Sequence, residues 1–179
     1  MAHALTAARL LLVAPVAAAF ARPAFLHPSV LLIFLCVAIA TDYYDGRAAR
    51  MRATASAMGQ LFDHGTDFVF VTTALAGAAI AGLVTPILPV LIVIAFSQYV
   101  LDSYLLHRQK QLRMSVIGRW NGILYFVPLL VISVSRLALF RDAASFLTLV
   151  AGALGYALVA STVVSIADRA IAPGVSRSD

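Results

Sequence analysis

A chain of 179 residues that is 62% hydrophobic and only 12% charged carries more apolar surface than one small globule can hide, because small domains leave much of their surface wet. Its charged share is about half that of a soluble domain. These proportions exclude an ordinary soluble enzyme and make the bilayer the natural solvent; one membrane-embedded domain over residues 1–179 is expected, with no nucleic-acid partner despite the net charge of +5.

Six hydrophobic segments follow in chain order. The first covers about residues 5–20 and is read as a mature helix. The loop with Arg22 and Pro23 follows it. The second runs from about 29 through 40 and passes into a polar stretch ending near Arg52. Its single cysteine, Cys36, forms no internal disulfide and reads as a small core or lipid-facing residue. The third covers about 58–84, the fourth 86–106, the fifth 116–140 and the sixth 143–166. Each is near the ~20 residues that span ~30 Å of hydrocarbon as a helix. Small residues recur at Ala78 and Gly82 and at Gly152 and Gly155, spacings that allow close helix approach in lipid.

The basic residues sort by side. Arg9, Arg47, Arg50, Arg52, Arg108, Lys110, Arg113, Arg119, Arg169 and Arg177 fall on one side of this arrangement, and only Arg22, Arg136 and Arg141 on the other. The positive-inside rule then places both termini in the cytoplasm, which agrees with an even number of spans. The expected fold is all-α, a six-transmembrane-helix bundle with a polar cavity open to the cytoplasm.

The acidic residues carry the chemistry. All eight are Asp, and four lie within one stretch: Asp42, Asp45, Asp63 and Asp67. The apolar part of the second segment is short, so at 1.5 Å per residue Asp42 stands roughly 20 Å from its outer end, well inside or near the inner edge of a ~30 Å hydrocarbon core. Ionisable groups at that depth line wet cavities or bind cations. Asp42 and Asp45 are three apart, Asp63 and Asp67 four apart, so each pair shares a helix face. Two antiparallel helices joined by a short cytoplasmic connection can gather all four. Four bare carboxylates would repel; one or two Mg²⁺ or Mn²⁺ ions balance them, and oxygen ligands suit those ions. No His or Cys set has zinc spacing, and His64 has no assigned role. Gly46, Ala49 and Gly59 let a ligand approach the backbone, while Arg50 offers a fork of donors to phosphate.

Written out, the stretch is Asp42-x-x-Asp45-Gly46-x-x-Ala49-Arg50-x8-Gly59-x3-Asp63-x3-Asp67. It resembles, at every defined position, the signature of the CDP-alcohol phosphotransferases (CDP-alcohol phosphatidyltransferases). Leu5-Thr6 with Arg9 and Pro15 also resembles that family's first-helix pattern, without its usual preceding Pro-Asn. The resemblance implies an integral-membrane, divalent-metal-dependent enzyme, with a homodimer as the expected assembly. It would join the phosphatidyl group of a CDP-lipid such as CDP-diacylglycerol to a small alcohol and release CMP on the cytoplasmic side. It implies Asp42, Asp45, Asp63 and Asp67 as metal ligands, with Asp67 also the general base. Thr6, Gly46, Ala49, Arg50 and Gly59 would form the CDP-lipid pocket.

Arg108, Lys110, Arg113 and Arg119 lie in one cytoplasmic connection, where they either hold an acceptor phosphate or set topology. Phosphatidylglycerophosphate synthases of the family often carry Gly-Lys-x-Lys-Thr before the fifth helix. Here the chain reads Gly118-Arg119-Trp120-Asn121-Gly122, which keeps one cation and loses the second. Glycerol 3-phosphate is the leading acceptor; inositol phosphate, serine or another alcohol are the alternatives. A cation transporter or channel would also use intramembrane aspartates, but leaves the fixed offsets of Gly46, Ala49, Arg50 and Gly59 unexplained. Gln98 and Asp102 sit one turn apart as second-tier or packing groups. Trp120 and Tyr125 read as interfacial anchors or a substrate wall, and Arg136 and Arg141 as side chains reaching headgroups at the outer face.

Overall fold

The computed structural model of the chain describes residues 2–51, 57–101 and 116–171. These residues form helices and no strand. The helices are α1 (Ala2–Ala21), α2 (Pro28–Met51), α3 (Ala57–Ile80), α4 (Ile87–Leu101), α5 (Val116–Leu124), α6 (Phe126–Ser135) and α7 (Ala144–Ile171), with a 3₁₀ turn over Ala138–Ala143 leading into α7. Two stretches, Val116–Ser135 and Ala138–Ile171, are long and apolar enough to cross a membrane; Arg9–Ala21, Pro28–Thr41 and Ile87–Leu101 are shorter apolar stretches.

Local chemistry accounts for the helix ends. α2 begins at Pro28, whose fixed φ and missing N–H suit a first helical position. The preceding His27 carbonyl accepts from Val30 and Leu31, and its Nδ1 from the Ser29 N–H. Thr85 and Pro86 open α4 in the same way, the Thr85 carbonyl accepting from Leu88 and its hydroxyl from Ile87. α3 ends where Gly82 takes φ +72°. The Gly82 N–H returns to the Ala79 carbonyl and the Leu83 N–H to that of Ala78, the paired closing bonds that a glycine in the left-handed region permits. Gly82 is thus a helix cap, and its spacing from Ala78 does not mark a helix-packing stripe.

The fifth segment does not run unbroken to 140. It divides at Tyr125, because Pro128 supplies no N–H to the Leu124 carbonyl one turn earlier, although Tyr125 still donates to Asn121. Arg136 ends α6 and turns inward instead of outward to headgroups. Its guanidinium donates to the carbonyls of Ala19 (2.7 Å) and Phe20 (3.0 Å) and lies over the Phe20 ring. A cation there neutralises the C-terminal carbonyls of α1, where the helix dipole favours it.

α1 packs on α2 and α3, α7 packs on α4, α5 and α6, and α6 also meets α2 and α3 and so joins the two groups. Val16, Phe20, Leu31, Leu35, Phe70, Leu75, Leu129 and Ile132 form the core. The outward face is apolar too: Leu11, Ile80, Leu139, Leu149 and Ile171 are each more than two-thirds exposed. That much apolar exposure on helices is the surface of a protein solvated by lipid.

Among the described glycines the closest interhelical approach is at Gly77 of α3, where a Cβ would collide with the Ala17 carbonyl oxygen and come within 3.2 Å of Phe20 Cβ in α1. Gly65 on the same helix has open space around it. Gly77→Ala is therefore expected to lower stability in detergent by about 1–3 kcal/mol through overpacking, whereas Gly65→Ala leaves it unchanged or slightly raised. Thermal unfolding of the two variants measures the difference; equal midpoints would show that α1 can shift at no cost.

Candidate active site

Arg9 is a charged side chain in an apolar helix, and its side chain has no exposed surface. A buried guanidinium requires partners. It finds them on two other helices: Nη1 forms an ion pair with the Asp67 carboxylate of α3, and Nη2 points at Thr41 Oγ1 of α2 at 3.4 Å. Thr41 gives its own proton to the Ala38 carbonyl at 2.9 Å, which leaves its lone pairs for Arg9. Thr6, one turn before Arg9 on α1, is buried as well. Asp67 is partly open, with 22% of its side chain exposed.

That opening faces a cavity of about 550 Å³. His64, Asp67, Phe68 and Val71 of α3 line one side, with Ile39 of α2 beside them. Ile92, Phe96, Gln98 and Tyr99 of α4 line another, and Gly118, Arg119 and Gly122 of α5 a third. Tyr125, Phe126, Ser165 and Arg169 complete the lining. Its walls are mostly apolar and aromatic. Phe68 stacks on Phe96 at 4.0 Å, Phe96 meets Tyr99 at 5.9 Å, and the Arg169 guanidinium lies 5.0 Å above the Tyr99 ring. A continuous row of rings thus leads from the residue after Asp67 to a cation on α7.

Polar pairs hold the α4, α5 and α7 side together. Gln98 Nε2 donates to the Ile166 carbonyl at 3.2 Å, and Ser161 donates to Asn121 Oδ1 at 2.7 Å. Tyr125 and Thr162 share a 2.7 Å bond. Since Thr162 donates to the Leu158 carbonyl, Tyr125 is the donor. Tyr125 is buried and so is not an interfacial anchor, while Trp120 is 60% exposed.

A model of the CDP-alcohol phosphatidyltransferase family matches residues 1–169. The chain belongs to that family. It is therefore a transferase of phospholipid synthesis, moving a phosphatidyl group from a CDP-alcohol to an alcohol, in a membrane-embedded family. No curated protein and no solved structure matches the chain.

On this CDP-alcohol phosphatidyltransferase, α2 carries Asp42, Asp45, Gly46, Ala49 and Arg50, and α3 carries Gly59, Asp63 and Asp67. Of these, only the Asp67 side chain lies within the described ones; those of Asp42, Asp45, Ala49, Arg50 and Asp63 lie outside them. Among the described residues no three His, Cys, Asp or Glu side chains gather. The donor chemistry nevertheless fits a divalent cation. One guanidinium reaches both Asp67 and Thr41, the residue just before Asp42, so the helix turns bearing Asp42 and Asp67 converge. Hard oxygen donors on two converging turns suit Mg²⁺ or Mn²⁺. Of the expected acceptor cations, Arg119 lines the Asp67 cavity, while Arg108, Lys110 and Arg113 lie outside the described residues, as does Asp102.

Reasoning from the sequence missed the Arg9–Asp67 pair: it placed Arg9 in the first-helix pattern and among the inside positive charges, and Arg169 among those charges alone. A cation embedded in the apolar first helix was the available signal, because such a residue calls for a partner. Nothing in sequence spacing could have joined Phe68, Phe96, Tyr99 and Arg169 into one wall.

Proposed function

We propose that this enzyme transfers the phosphatidyl group of CDP-diacylglycerol to a phosphorylated alcohol, glycerol 3-phosphate first and inositol phosphate second, with release of CMP. The observation that carries the reading is one cavity lined by both Asp67 and Arg119. A carboxylate able to take a proton and a guanidinium able to hold a phosphate thereby face the same space. Family membership favours transfer over ion transport.

Asp42, Asp45, Asp63 and Asp67 would hold one or two Mg²⁺ or Mn²⁺ ions, which when bound neutralise charge on the substrate diphosphate. Thr6, Gly46, Ala49, Arg50 and Gly59 shape the CDP-lipid pocket. Asp67 accepts the proton of the acceptor hydroxyl as its oxygen attacks the lipid-bearing phosphorus. The bond from that phosphorus to the bridging oxygen breaks, and the electron pair leaves with CMP. Arg9 holds the Asp67 carboxylate in place, and Arg119 binds the acceptor phosphate through charge-assisted bonds. Apolar walls keep bulk water from competing as the nucleophile.

The same reading includes six membrane spans, with α5 and α6 together forming the fifth, both termini and the active site on the cytoplasmic side, surrounding membrane lipids in contact with the bundle, and a homodimer. The positive charge distribution supports the orientation.

Purified enzyme supplied with CDP-diacylglycerol is expected to release CMP with glycerol 3-phosphate or inositol phosphate and far less with serine or free glycerol. Arg119→Ala should raise the acceptor KM about 10-fold or more while leaving the KM for CDP-diacylglycerol nearly unchanged. Equal rates with serine, together with an unchanged acceptor KM, would overturn the acceptor assignment.

A further inference from the structure

Two residues that line the Asp67 cavity each carry a polar atom buried without a hydrogen-bond partner: Gln98 Oε1 and Tyr99 Oη. Tyr99 is 4% exposed. Buried polar atoms are nearly always satisfied, so two orphans on consecutive residues of a ligand-sized cavity's lining point to a ligand. The orientation of the Gln98 amide follows from its partner. Nε2 donates to the Ile166 carbonyl, and reversing the amide would set two oxygens against each other. Oε1 therefore faces away from that bond as a pure acceptor and requires a donor. Tyr99 Oη both donates and accepts. A group that donates to an amide oxygen and exchanges a hydrogen bond with a phenol is a hydroxyl.

An ammonium is the other donor to weigh. A Tyr99 face that would attract it is already covered by Arg169 at 5.0 Å, and Phe68 and Phe96 are stacked on each other, leaving among the described residues no open aromatic cage of the kind that holds a cationic headgroup. A phosphate oxygen brings no proton to Oε1 and would be repelled by it.

We propose that Gln98 and Tyr99 recognise a second hydroxyl of the acceptor, one that does not react, so that the acceptor is a polyol with at least two free hydroxyls. This rests on the reading above that a phosphorylated alcohol enters the Asp67 cavity. It assigns each part of that alcohol: one hydroxyl to Asp67, the phosphate to Arg119, and the remaining hydroxyl to the Gln98–Tyr99 corner.

The test compares acceptors that differ by one hydroxyl: glycerol 3-phosphate against 3-hydroxypropyl phosphate, and inositol phosphate against its monodeoxy derivatives. CMP release from CDP-diacylglycerol is measured for the wild type, Tyr99→Phe and Gln98→Leu. The wild type is expected to favour the complete polyol by about 10- to 100-fold in kcat/KM, because a site built to bond a hydroxyl rejects the analogue lacking it. Tyr99→Phe keeps the ring against Phe96 and Arg169 and removes only the oxygen. It should shrink that ratio toward one by raising the polyol KM, with the KM for CDP-diacylglycerol unmoved. A merely structural role would slow both acceptors alike. Gln98→Leu should act in the same direction, and the tyrosine variant decides the matter if the loss of the Ile166 bond prevents folding. Equal wild-type rates with polyol and deoxy partner, or an unchanged ratio in Tyr99→Phe, would overturn the hydroxyl assignment while leaving a phosphorylated acceptor standing. Turnover with serine and with neither phosphorylated polyol would overturn the underlying reading as well.

Discussion

Asp67→Asn is expected to reduce CMP release by about 10²–10⁴-fold, the usual contribution of a general base, and by the larger figure if the same oxygens hold the proposed metal. The substitution is isosteric and leaves an amide oxygen able to accept from Arg9, so the helices should stay in place. What disappears is the charge: the amide cannot take the acceptor proton, and the buried Arg9 guanidinium loses the carboxylate that compensates it. The thermal midpoint should therefore fall moderately, while CDP-lipid binding persists in the folded fraction. In the wild type, excess chelator should abolish turnover, with Mg²⁺ or Mn²⁺ restoring it. Wild-type CMP release by Asp67→Asn, or in excess chelator, would sink the mechanism.

The all-helical class and the approximate starts of the second to sixth segments were legible because they depend on neighbours in sequence. A second segment starting near residue 29, and the three- and four-residue spacings of the aspartates, need only local geometry. What stayed hidden depends on which faces of distant helices meet. α1 and α4 are apolar nearly all round, and such helices carry no stripe to mark the inward side. The Arg9–Asp67 pair spans 58 residues, and the bonds from Arg136 to Ala19 and Phe20 more than a hundred; neither had a periodic signal to announce it. Gly82 was ambiguous for another reason: a small residue four after Ala78 satisfies both a packing spacing and a helix cap, and only its positive φ separates the two.

Arg9 supplies the second large effect. Arg9→Ala is expected to lower kcat by about 100-fold and to destabilise the protein by about 3–5 kcal/mol, the usual consequence of removing one partner from a buried pair. The loss has two parts that a second variant separates. The guanidinium joins α1 to α3 through Asp67 and reaches α2 through Thr41, so it acts as a strut; it also fixes the direction in which the Asp67 carboxylate faces the cavity. Arg9→Lys keeps the charge but replaces a planar fork with a single flexible ammonium that cannot reach both partners in one fixed geometry. Arg9→Lys should therefore recover much of the thermal midpoint while kcat remains at least about 10-fold low, a displacement small in distance but costly for a proton transfer. The KM for CDP-diacylglycerol should change far less than kcat, because Arg9 pairs with Asp67, the proposed base. Thr41→Val, which removes only the longer contact at 3.4 Å, should cost much less than either. If Arg9→Lys turns over at the wild-type rate, charge alone suffices and the fork does not position Asp67; if kcat and the thermal midpoint fall together and recover together, Arg9 is a strut and nothing more.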